Sequence, residues 1–100
     1  MKISAEMCAQ VLTAAGDIAS RNESYREAER LYLDALDHVV ESYGPNSFQA
    51  ASLCAHVSVT MRMQGKISES TEYMRRADDI NQAHQKAYAE PAILDLLLSL

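Results

Sequence analysis

The sequence predicts an all-α protein: two helical hairpins stacked in series, with one extra helix at the C-terminus. Three observations carry this fold class. Glycine and proline are scarce, three and two in 100 residues, which disfavours strand-and-turn folds and suits long helices. Apolar and small side chains recur at helical spacing, as at Tyr25, Ala28, Tyr32 and Ala35, which share one helix face. The pattern also returns, because sliding the chain by 42 residues lays its first half on its second.

The elements follow in order. Ser4 reads as the N-cap of a helix over 5–21. Ser24 and Glu27 form a capping-box pattern that opens a helix over 25–43. "YGPNS", Tyr43 to Ser47, ends it, with a glycine past the last turn and a proline that stops continuation. Asn46, 42 residues after Ser4, reads as the N-cap of a helix over 47–63, and a further helix covers 67–87. A last one begins at Pro91. The chain is thus one domain over 1–100, with unit one at about 4–45, unit two at about 46–88 and a capping or third-unit helix at about 91–100.

The frame keeps side-chain size more than identity. Cys8 pairs with Ala50, Leu12 with Cys54, Ala15 with Val57, Gly16 with Ser58 and Ala19 with Met61. In the second helices Tyr25 pairs with Ile67, Ala28 with Ser70, Tyr32 with Met74 and Ala35 with Ala77. Small residues mark close helix crossings, and large ones fill the gaps between crossings.

Leu12, Ala15-Gly16 and Ala19, followed by Ala28, Tyr32 and Ala35, resemble the tetratricopeptide repeat pattern; Cys54, Val57-Ser58, Met61, Ser70, Met74 and Ala77 form a degenerate second copy. The period of 42 and the "SYGPNS" connector look like the kinesin-light-chain subtype, and the resemblance covers residues 4 to about 85. It implies a right-handed α-solenoid fragment that binds a peptide or partner helix in the concave surface of its first helices. The groove residues it implies are Gln10, Thr13, Asp17 and Arg21 in unit one. Their counterparts are Ser52, Ala55, Val59 and Met63, with His56 and Arg62 alongside. Thr13-Ala14 and Ala55-His56 stand where that subtype carries paired asparagines.

Composition narrows the function classes. Hydrophobic residues make up 48% and charged ones 23%, enough for a core. Nine basic against fourteen acidic residues give a net charge of −5, a poor match to phosphate backbones or anionic lipid, so neither nucleic acid nor membrane is expected as a partner. Cys8 and Cys54 make neither a metal-like pair nor a disulfide framework, and the expected compartment is a reducing cytoplasm. Glu6 interrupts the start before any apolar run, so no signal peptide is expected.

Signals for catalysis, metal and cofactor are thin. Cys54 and His56 diverge on a helix, Asp34 and His38 lack further ligands, and no glycine-rich phosphate loop exists. No catalytic residue, metal or cofactor is assigned, and the chain is expected to be a non-enzymatic adaptor or scaffold. The end, "ILDLLLSL", is the other notable stretch. In the 42-residue frame Leu96 falls inward, while Leu94, Leu97 and Leu98 face out. Either the chain is an excerpt of a longer array, or these leucines self-associate as a homodimer.

Overall fold

The computed structural model describes residues 3–99, with side chains for 3–87 and 95–99. Among the described residues every regular element is a helix: α1 (Ala5–Arg21), α2 (Tyr25–Tyr43), α3 (Phe48–Met63) and α4 (Ile67–Leu98). α1 packs on α2, α2 on α3 and α3 on α4. The chain is therefore two consecutive helical hairpins in a repeat-like stack.

Both hairpins turn in the same way, and the turns lie one frame apart. After α1, the Ser24 N–H reaches back to the Ala19 carbonyl (2.8 Å) and that of Glu23 to Ser20 (3.0 Å). After α3, Lys66 reaches Met61 and Gly65 reaches Arg62, both at 2.9 Å. This 6→1 and 5→2 bond pair defines a Schellman C-cap, which needs a left-handed residue at its centre. Gly65 supplies it at φ 81° without penalty, whereas Glu23 adopts φ 60° with a full side chain. Glu23→Gly is expected to stabilise the chain by about 0.5–1 kcal/mol, while Gly65→Ala destabilises it by about 1 kcal/mol or more. Urea midpoints check both; a loss of stability in Glu23→Gly would reject the strained turn.

Two caps differ from the sequence expectation. α3 is capped by Ser47, whose Oγ accepts from the Ala50 N–H at 3.1 Å, and Asn46 belongs to the turn. α3 thus starts one residue later than the frame places it, while its end keeps the 42-residue offset from the end of α1. Ser24 precedes α2 but makes no side-chain cap bond, and Glu27 pairs with Arg30 instead of completing a capping box. Ser24 is already committed as the last residue of the Schellman turn.

The second difference is larger. No separate helix starts at Pro91; α4 runs unbroken from Ile67 to Leu98. A proline inside a helix removes one backbone bond and costs about 3 kcal/mol. The helix nonetheless continues through this position instead of turning as the chain does after α1 and α3. Leu96, expected to face inward, is 66% exposed, as a straight continuation of α4 does not fold back on the hairpins. Leu97 and Leu98 are exposed too, and the side chain of Leu94 lies outside the described residues.

The core follows the size pattern. Ala28, Tyr32 and Ala35 of α2 are buried with Ala50, Cys54, Val57 and Met61 of α3 and Ala77 of α4. Gly16 is where α1 admits the Tyr32 ring: a Cβ at Gly16 would lie 2.6 Å from Tyr32 Cε1. At the equivalent crossing of unit two the pair is polar. The Ser58 and Ser70 hydroxyls lie 2.9 Å apart, and each is 2.8 Å from the other residue's carbonyl. One hydrogen per hydroxyl suffices to satisfy this buried pair.

A further clamp aligns the hairpins. Lys66 in the second turn reaches the Glu29 carboxylate at 3.2 and 3.3 Å, and the Gln64 amide lies 3.4 Å from the Tyr25 carbonyl. This side of α3 therefore faces α2.

Candidate functional site

The residues expected to form a groove lie on α1 and α3, with α2 as the floor. Gln10, Thr13 and Asp17 of α1 and Ser52 of α3 line one hollow of about 420 Å³, together with Glu6, Ala14, Gln49 and Tyr43. Ala55, His56 and Val59 line an adjoining hollow of about 220 Å³ with Ser20, Tyr32 and Thr60. Three expected residues, Arg21, Arg62 and Met63, line neither. They are exposed at the C-terminal ends of the two helices.

One side chain from each of three helices meets where the hollows adjoin. The Tyr32 hydroxyl donates to Asp17 Oδ1 at 2.5 Å. The Tyr32 ring stands 5.0 Å from the His56 ring, tilted by 59°. His56 Nδ1 is 2.7 Å from the Ser52 carbonyl, which can only accept, so Nδ1 carries the hydrogen. In the neutral ring Nε2 is then an acceptor. It lies 4.0 Å from Asp17 Oδ1, a distance that becomes an ion pair only when the ring is protonated.

These contacts change the role of Asp17. It is not a free groove charge but the acceptor for a core tyrosine. Burial, then the hydrogen bond and negative charge of Asp17, push the Tyr32 phenol well above its ordinary range. Tyr32 is thus a neutral donor at any ordinary pH, which suits a structural tie. Sequence reasoning placed Tyr32 as a packing wedge and missed its hydroxyl. The available signal was tyrosine rather than phenylalanine at a core position, because a buried phenol needs a partner.

The thiol that sequence proximity placed beside His56 is inert here. Cys54 is fully buried on the opposite side of α3, and burial pushes its pKa up, away from the thiolate form. Asp34 is exposed and His38 half-buried on α2. Among the described residues no group of three or more His, Cys, Asp or Glu is placed to hold one metal ion.

A second contact escaped the sequence. His84 of α4 stacks on Phe48 of α3 at 4.0 Å, and its Nε2 donates to the Asn46 carbonyl at 2.8 Å. It ties α4 to the connection between the hairpins. No helix among the described residues is long and apolar enough to cross a membrane. No family model, curated protein or solved structure matches the chain.

Proposed function

We propose that the chain is a non-catalytic protein-interaction module of tetratricopeptide type, which takes an extended peptide or partner helix along the groove between α1 and α3. One observation carries this reading. Frame-equivalent residues of the two first helices line two adjoining hollows, and the Asp17–Tyr32–His56 contact stands where they adjoin. Preorganised walls lower the ordering cost of binding. The walls mix amides and hydroxyls (Gln10, Thr13, Ser52) with the apolar Val59, which is 52% exposed. That mixture suits a peptide with alternating polar and apolar side chains. The cytoplasm remains the compartment proposed, as both cysteines are free.

Asp17 cannot be reversed cleanly, since it accepts from Tyr32, so the test uses exposed Val59 in the wall and exposed Arg62 at the nearby end of α3. Peptides captured from an arrayed library by the intact chain are expected to lose about tenfold or more in affinity with Val59→Glu, or about 1.4 kcal/mol. Arg62→Glu is expected to weaken acidic peptides more than neutral ones. Helicity should stay the same in both variants. Captured peptides that bind both variants as well as the unaltered chain would remove the groove from the proposal.

A specific observation also favours a second reading, self-association through the end of α4. Leu96, Leu97 and Leu98 are 66%, 61% and 83% exposed, an unusual density of large apolar side chains in water at one helix end.

A further inference from the structure

α1 carries an apolar stripe that the groove does not use. Met7, Val11 and Ile18 are 53%, 66% and 58% exposed. They recur at helical spacing along one face of α1, which already buries a second face, including Ala9, Gly16 and Ala19, against α2.

The 42-residue frame says what this stripe is built to meet. Val11 corresponds to Leu53 and Ile18 to Thr60, and those two are 4% and 1% exposed on α3. Thr60 lies on the side of α3 that faces α2, as the bond from Gln64 to the Tyr25 carbonyl shows. The same contrast runs through the neighbouring pairs: Cys8, Leu12 and Ala15 are half-buried, whereas Ala50, Cys54 and Val57 are fully buried. α3 has a helix on each side, and α1 has only α2. The open face of α1 is therefore shaped for a helix lying as α2 lies on α3. An extended peptide would not match that register.

The opposite edge of the stack cannot serve as that helix. On α2, Leu36, Val39 and Val40 pack into the core; their frame counterparts on α4 are Asp78, Asn81 and Gln82, all exposed and polar. Elsewhere among the described residues, Val59 and Met63 are exposed on α3 beside the groove, and the densest exposed apolar cluster is Leu96, Leu97 and Leu98 at the end of α4. It cannot reach its own α1. The two helices form opposite edges of the stack, and α4 is one rod of about 48 Å at 1.5 Å per residue.

We infer that the open face of α1 is the docking site for the C-terminal end of α4 from a second copy of the chain, in a reciprocal dimer. This rests on the self-association reading above and adds the acceptor surface to it. Area is consistent with such a pair. Six side chains (Met7, Val11, Ile18, Leu96, Leu97 and Leu98), each with on the order of 100 Å² of apolar surface, occur twice in a reciprocal dimer. Together they bring about 1,200 Å² out of water, at the lower end for specific dimers.

Sedimentation of the intact chain at about 50 μM is expected to give twice the protomer mass of 11.1 kDa. Val11→Glu with Ile18→Glu, and separately Leu97→Glu with Leu98→Glu, are each expected to halve that mass without loss of helicity, since all four positions are exposed. Mixing the two variants restores one intact contact and should return a dimer of mixed composition. A dimer unaffected by the Val11/Ile18 change, or variants that fail to recombine, would overturn the α1 docking site while leaving a leucine-to-leucine dimer standing. A monomer for the unaltered chain would overturn both.

Discussion

Gly16→Leu is expected to destabilise the chain by about 3 kcal/mol or more, and Gly16→Ala by about 1–2 kcal/mol. The cause is direct. The first carbon of any side chain at Gly16 would meet Tyr32 Cε1 at 2.6 Å and Cδ1 at 2.8 Å. A flexible neighbour could swing away from such a contact. Tyr32 cannot, because its hydroxyl is tied to Asp17 and its ring is flanked by His56. In a domain of this size each kcal/mol lowers the thermal midpoint by about 4–8 °C. Calorimetry of the alanine and leucine variants checks the series. An unchanged midpoint in Gly16→Leu would mean the α1–α2 crossing is looser than the structure shows.

Tyr32→Ala is expected to cost about 3–5 kcal/mol, since it empties a ring-sized volume at the junction of α1, α2 and α3. Tyr32 is 2% exposed. Tyr32→Phe keeps the volume and forfeits only the bond to Asp17, so its expected cost is about 1 kcal/mol. Arg30→Ala, on the exposed face of the same helix, should stay within about 0.5 kcal/mol. The two sites are coupled. Gly16→Ala in a Tyr32→Ala background should be nearly neutral, because the new methyl enters vacated space, and simple additivity would refute the contact.

The same tyrosine has a pH signature. Its folded pKa is raised above the unfolded value of about 10. Folding therefore favours the protonated phenol, and this contribution is fully present below about pH 10. It is lost as pH rises beyond that through the folded pKa. Tyr32→Phe should remove this share of the alkaline destabilisation. An identical alkaline limb in both proteins would show that other groups set it.

Much of the helical plan was legible because it depends on local chemistry. Scarce glycine and proline and helical spacing, with the Ser4 cap of α1, placed the bounds of α1 and α2, and these match the structure, although the capping box expected at Ser24 does not form. The frame also located the buried positions, because Gly16, Ala28, Ala35, Ser58, Ser70 and Ala77 are small for a reason the sequence displays: helices approach there. Serine at 58 and 70 looked like degeneration of the pattern. The structure makes it a reciprocal hydrogen-bonded pair, which one-dimensional spacing cannot reveal because it needs both partners in view.

The tail and the groove depended on more than spacing. Pro91 is a strong local stop signal, yet α4 passes through it. Asp17 read as a free charge until Tyr32, fifteen residues away, was found bonded to it. By itself the sequence determined α1 to α3 and the start of α4, their order and the small residues at their crossings, since these follow from backbone propensity and side-chain volume within a few turns. Only the tertiary structure decided which polar atoms are satisfied, that Leu96 stays in water and that one face of α1 lacks the neighbour its counterpart on α3 has. Those outcomes are set by the mutual placement of helices, and no local pattern encodes that.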